Sequence, residues 1–280
     1  MPATTYQQPT TLAAATQLLA QGRWQPLAGG TDLYPAHVGR PIAQPLLDLS
    51  RIETLRGIRE GAAGWWFGAT TPWSEVLRAS LPARFDALKA AAREVGGLQI
   101  QNTATIAGNL CNASPAADGT PVWLALDAQV LLASAAGERC VPVAQFVLGA
   151  RRTARRDDEL VTALHVPRGG SNARSVFLKL GGRRYLVISV TMLAALIETD
   201  AQGMVQRAAI AVGSCSAVAQ RLVRLESRLL GQPAAVLASV TIEPDDLAVL
   251  TPIDDIRASA AYRLDATATL LRRGLRELAA

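Results

Sequence analysis

The sequence predicts a mixed α+β protein, and three observations carry that expectation. Half of the 280 residues are hydrophobic, enough for a large core. Helical and strand periodicities alternate along the whole chain. Clusters of Gly, Pro, Ser and Asn punctuate them at intervals, densest at "PRGGSNARS", residues 167–175. That cluster divides the chain into segments 1–170 and 171–280, and the length suits one long domain or two.

Each element has a local reason. "TTLAAATQLLAQG" reads as a helix capped by Thr10 or Thr11, with Leu12, Ala15 and Leu19 on one face and Gly22 at its end. "WQPLAGG" and "PLLDLS" are short strands on either side of a glycine loop. "GWWFGAT" alternates as a strand does, and Thr71-Pro72 opens a short helix with Thr71 as cap. "PARFDALKAAAREVGG" places Phe85, Leu88, Ala92 and Val95 on one helical face. "DAQVLLASA" and "GERCVPV" form a hairpin around Ala136-Gly137, and "ELVTALHVP" is a further strand. Beyond residue 171, "VFLKLGG", "LVISVTMLAALIE" and "QRAAIAVGS" read as three strands. "AQRLVRLESRLLG" and a final helix from about Ala258 follow, the latter with Leu264, Ala268, Leu271, Leu275 and Leu278 in one stripe.

Composition excludes several function classes. The formal net charge is +5, but the basic residues are scattered except for Arg151, Arg152, Arg155 and Arg156. No aromatic–basic interleaving marks a nucleic-acid groove. The three cysteines, Cys111, Cys140 and Cys215, are far apart, and with two histidines they supply neither an iron–sulfur cluster nor a structural zinc. Their sparse, odd count fits a reducing compartment. "MPATTYQQPT" lacks the charged and apolar regions of an export signal, and the longest apolar run, 186–197, is too short for a membrane span. A cytoplasmic protein is expected.

Two stretches carry chemistry. "PLAGGTDLYP", residues 26–35, breaks a strand with paired glycines, and "TATIAGNLCNASPAADGTP", residues 103–121, is a second small-residue loop. Taken singly, each reads equally as a turn or a polar loop. Together they suit two adjacent phosphates, because Gly, Ala, Ser and Asn let main-chain N–H groups approach an anion. Neither is GxGxxG or GxxxxGK[ST], so the Rossmann and P-loop modes are disfavoured. Asp32 and Asp118 would repel phosphate and better serve ribose or ribityl hydroxyls, or cap loop amides. His37 and His165 read as structural, Cys111 as a small packing residue, and Asp157–Asp158–Glu159 as a solvated turn. The arginine group at 151–156 is a solvated loop, a docking surface for an acidic partner, or a loop over the ligand.

Four segments, "PLAGGTDLYP", "QIQNTATIAGNLCNASPAADGTPVWLALDA", "GERCVPVAQFVLGARRTARRDDELVTALHVP" and "LTPIDDIRASAAYRLDATATLLRRGL", together resemble the FAD-binding medium subunit of the molybdenum hydroxylases. The resemblance runs from about residue 5 to the C-terminus. It implies a two-part flavin domain of the vanillyl-alcohol-oxidase-like type (1–54 and 55–170). A smaller C-terminal α+β domain with a three-stranded antiparallel sheet would occupy 171–280. It implies non-covalent FAD, with Leu27, Ala28, Gly29, Gly30, Thr31, Asp32 and Leu33 from the first loop, and Thr105, Gly108, Asn109, Asn112 and Asp118 from the second. Lys179 matches a lysine near the flavin ring, expected to favour the reduced anionic form. Leu160 matches an apolar residue at the adenine or flavin edge. The family pattern reads QIRNRGTIGGN where this chain has "QIQNTATIAGN": Gln101 and Thr103 replace arginines, and Ala104 and Ala107 replace glycines.

The implied role is electron transfer without acid–base residues of its own. A small subunit with two [2Fe–2S] clusters and a large molybdopterin subunit would be the partners, assembled as a dimer of heterotrimers. NAD⁺, a quinone or O₂ would be the acceptor. A stand-alone flavin oxidase and a non-catalytic phosphate-ligand scaffold are the alternatives; against the oxidase, Thr31 stands where such enzymes often carry a flavin-linking histidine.

Overall fold

A computed structural model describes residues 5–279. The chain opens with a small parallel sheet of order β1-β3-β2: β1 (Tyr6–Gln7), β2 (Gln25–Leu27) and β3 (Leu46–Asp48). Helix α1 (Leu12–Gln21) crosses between β1 and β2; Thr11 Oγ1 accepts the Ala14 amide and so supplies its cap. Ala15 and Leu19 bury against Leu47, Leu49, Ile52 and Leu55.

The second sheet is antiparallel. Strands β4 (Ile58–Gly61) and β5 (Gly64–Gly68) form its first hairpin. Five helices follow: α2 (Trp73–Arg78), α3 (Asp86–Glu94), α4 (Leu98–Thr103), α5 (Ile106–Asn112) and α6 (Gly119–Ala125). The chain then returns as the hairpin β6 (Gln129–Ser134) and β7 (Gly137–Pro142). After α7 (Val143–Phe146), a two-stranded strap is formed by β8 (Val147–Gly149) and β9 (Arg152–Thr153). Strand β10 (Leu160–Pro167) then inserts between β5 and β6, giving the order β4-β5-β10-β6-β7. Phe67, Trp73, Phe85 and Trp123 are fully buried here, and the Phe67 ring meets both Phe85 and Trp123.

The third sheet joins β11 (Ala173–Gly181), β12 (Ser189–Thr199), β13 (Val205–Gly213) and β14 (Gln220–Arg221), all antiparallel. Helix α8 (Val223–Leu229) follows β14, and α9 (Ala260–Ala279) lays Leu271, Leu275 and Leu278 on one face of the sheet. Helices α3 and α6 cover the other face, so β12 is buried from Ser189 to Ile197.

Several expectations are corrected. The C-terminal sheet has four strands, not three, because Gln220–Arg221 pairs with Ala211–Val212 before any helix begins. Arg221 is held extended by Glu226 (2.5 Å) and Asp127 (2.7 Å), so the predicted helix over 219–231 starts only at Val223. Thr71 does not cap α2: its hydroxyl donates to the Gly57 carbonyl and accepts the Gly57 amide. The helix expected from Pro82 opens as a 3-10 turn, Ala83–Phe85. Glu159 belongs to no solvated turn; it is 3% exposed and paired to Arg139 at 2.5 Å. The strand of "WQPLAGG" ends at Leu27.

Candidate functional site

Between the first two sheets lies a cavity of about 630 Å³. Residues 27–33 form one wall, α4 and α5 with residues 104–105 a second, and the strap with Leu160 and Val161 a third. Every site residue expected from the sequence lines it except Asp118 and Lys179.

The first wall is shaped by its glycines. A Cβ on Gly29 would stand 2.1 Å from the Thr103 carbonyl oxygen, so this glycine lets two main chains touch. Gly30 has φ +67°, and a Cβ there would meet the Tyr34 ring at 2.4 Å. The turn is closed by the Tyr34 amide donating to the Gly30 carbonyl at 3.0 Å, and His37 Nδ1 lies 2.8 Å from the Leu33 carbonyl. Among the described residues, the amides from Gly29 to Leu33 donate to no protein acceptor. A row of unspent N–H groups in a turn is an anion-binding concavity.

The second wall differs from the expected loop: residues 106–112 are helical. Thr105 caps them, its Oγ1 accepting the Gly108 amide at 3.1 Å. The Ile106 amide donates to Thr71 and the Ala107 amide to Ala69. These N–H groups are therefore already committed, and α5 offers side chains instead. Asn112 Nδ2 donates to Asp32 Oδ1 at 3.1 Å, tying the two segments together. Asn109 lines the cavity, but its Oδ1 is buried without a partner among the described residues, packed towards Gly119 at the start of α6. Ala107 lies inside the helix, 4% exposed, and lines the cavity wall. Burial pushes the Cys111 thiol up to about 11, which keeps it protonated and inert.

Of the three readings of the arginine group, the strap fits a loop over the cavity. Arg151, Thr153 and Arg155 line the cavity. Arg151 has φ +56°, and its amide donates to the Ala113 carbonyl at 3.1 Å, hooking the strap to the end of α5. Glu159 supports it from beneath, accepting from Arg139 and from the Arg156 amide at 2.7 Å. Those contacts hold the Glu159 carboxyl below its ordinary range.

Lys179 and Asp118 lie elsewhere. Their side chains pair at 2.7 Å, both buried, and Ser189 donates to the other Asp118 oxygen at 2.7 Å. Burial pushes the Asp118 carboxyl up, with Lys179 and Ser189 opposing. The pair joins the start of α6 to β11 and β12. His165 stacks on Trp66 at 4.6 Å in the second sheet, away from the cavity.

Comparison with known proteins places this architecture. Residues 2–169 match the FAD binding domain in molybdopterin dehydrogenase, and residues 177–278 match the CO dehydrogenase flavoprotein C-terminal domain. The xanthine dehydrogenase FAD-binding subunit of Escherichia coli O157:H7 is 30% identical over 280 residues, covering 98% of this chain and 96% of that one. The carbon monoxide dehydrogenase medium chain of Hydrogenophaga pseudoflava is 29% identical over 275 residues, covering 96% and 95%. A solved structure of carbon monoxide dehydrogenase from that organism superposes with a TM-score of 0.87 at 26% identity, covering 99% of this chain and 97% of that chain. The chain belongs to the family of FAD-binding subunits of molybdopterin dehydrogenases. Within it, the chain has the length and two-domain layout of a medium chain, the flavoprotein subunit of an oxidoreductase complex. The unspent amides at 29–33 fit a ligand with a diphosphate, as FAD has.

Proposed function

We propose that this chain holds FAD non-covalently in the cavity and passes electrons from an iron–sulfur subunit to an acceptor such as NAD⁺, a quinone or O₂. The row of free amides from Gly29 to Leu33, in a member of a flavoprotein family, carries that reading. Those amides hold the diphosphate. Asp32, braced by Asn112, receives hydroxyl groups. Leu160 packs a ring edge, and Thr105 with Gly108 keeps α5 in place. When bound, the flavin couples one-electron donors to two-electron acceptors.

The Asp118 carboxylate offsets the charge of Lys179 at contact distance, so Lys179 acts on the cofactor through the position of β11 more than by a bare charge. The partners in this proposal are a small subunit with [2Fe–2S] clusters and a large molybdopterin subunit, assembled as a dimer of heterotrimers. We place the complex in the cytoplasm, consistent with three free cysteines; no helix among the described residues is long and apolar enough to cross a membrane. The functional division falls at 1–170 and 171–280, with a subdivision after residue 54.

The purified chain is expected to be yellow and to release free FAD on acid denaturation, and to co-purify from its host with both partner chains. A colourless chain that takes up no FAD would overturn the cofactor reading. Substrate turnover by the isolated chain would favour a stand-alone oxidase instead. Exposed Arg151 and Arg152 are tested by replacing both with Glu. Unchanged complex assembly removes a docking role for them.

A further inference from the structure

A second cleft, of about 380 Å³, opens where the second sheet meets the third and shares no lining residue with the first cavity. Its walls include Arg84, Asp127, Arg168, Gly169, Glu198 and Arg207. Arg84 is the anomaly. It is 6% exposed, forms no ion pair or hydrogen bond among the described residues, and its Nε is buried with no acceptor. The Phe85 ring lies 5.5 Å beneath it, which supports the face of the guanidinium but accepts none of its N–H groups.

The other charges of the cleft are already engaged. Asp127 accepts from Arg207 at 2.6 Å and from Arg221 at 2.7 Å. Glu198 Oε1 accepts the Gly170 amide at 2.8 Å. Arg168, at the exposed mouth, reaches Glu60 at 3.7 Å. Gly169 makes the room: a Cβ there would stand 2.5 Å from an Arg84 Nη atom. A buried guanidinium with five donors and no acceptor is costly unless an oxyanion meets it. Burial and, less strongly, the neighbouring Arg207 push its pKa down, with Glu198 and Asp127 opposing from the cleft wall.

We propose that this cleft is a binding site for a small oxyanion of the phosphate, sulfate or carboxylate class, held by Arg84 with Arg168 at its mouth. Arg84 stands on the turn before α3, while Glu198 and Arg207 belong to β12 and β13. A bound anion therefore sits at the seam between the two halves, and its occupancy stabilises the folded protein by mass action.

The test uses inorganic phosphate and FAD-saturated protein, so that the amides at 29–33 are occupied. Titration against chloride at constant ionic strength should show saturable one-to-one binding by calorimetry. The melting temperature should rise with it, and hydrogen exchange should slow at residues 167–170. Arg84→Gln should weaken phosphate at least about tenfold, as expected for loss of charged hydrogen bonds, and leave FAD affinity unchanged. Should that variant not fold, Arg84→Lys replaces it. There the affinity should fall because an ammonium cannot make the forked contact. No saturable binding overturns the proposal. So does binding that disappears once FAD is loaded, which would place phosphate in the dinucleotide cavity, or affinity that neither substitution changes. Failure of FAD loading would bear on the cofactor reading alone, since the FAD-free protein should still bind phosphate in an Arg84-dependent manner.

Discussion

Residues 28–33 and residues 105–112 are both rich in small side chains and both line the cavity, yet their main chains are used differently. In the first, the glycines create a turn whose amides face outward with no protein partner. In the second, the same kinds of residue form a capped helix whose early amides are spent on Thr71, Ala69 and Thr105. Small residues signal close approach, but the local fold decides whether a ligand or the protein itself comes close. In the proposed function the first segment is the receptor, and the second is mainly its brace.

The largest effect expected from this contrast is at Gly29. Gly29→Val must push the turn away from the Thr103 carbonyl, so FAD retention should be lost and stability should fall by about 1–3 kcal/mol, as for overpacking. Absorbance of the purified protein and chemical denaturation check both. If the variant stays fully yellow, the contact between the segments is not what shapes the receptor. Gly30→Ala should cost about 1–2 kcal/mol from its left-handed backbone and weaken FAD without abolishing folding, as read by flavin fluorescence titration.

On the bracing side, Thr105→Ala removes a helix cap and should cost about 1 kcal/mol, with Thr105→Ser restoring most of it. Its effect on FAD should scale with the lost stability and not exceed it. A large loss of FAD in a stable T105A protein would make the second segment a direct receptor after all. The strap sharpens the same division through pH. The Glu159 carboxyl lies below its ordinary value in the folded state, so its contribution is fully present above the usual carboxylate range. That contribution is lost as pH falls through the lowered value. Glu159→Gln should therefore flatten the acid limb of a stability–pH profile. The smallest effect is expected at Asn112→Ala, where one exposed hydrogen bond of 3.1 Å is lost and only a few tenths to about 1 kcal/mol is at stake.

Much of this was legible before any coordinates. The alternation of apolar residues marked α1, the hairpin β6–β7 and the buried stripe of α9, because burial on one face imposes a period on the sequence. The paired glycines at 29–30 were legible as a special turn, since few other residues tolerate that backbone. The helical state of 106–112 was not, because Gly108, Asn109 and Asn112 are weak helix formers and the stabilising cap comes with neighbours distant in sequence. Nor was β14, whose extended form depends on Asp127, 94 residues away from Arg221. The Lys179–Asp118 pair, 61 residues apart, is equally invisible to spacing. Arg151 and Arg155 stood out as charges, but only the strap geometry brings them to the cavity.

The touch between Gly29 and the Thr103 carbonyl has an evolutionary corollary. It is drawn entirely in peptide units, so whichever amino acid occupies position 103 presents the same oxygen. The arginine-to-threonine departure there can be absorbed without redrawing the junction, and drift is free to act on the side chain while the glycine opposite is pinned.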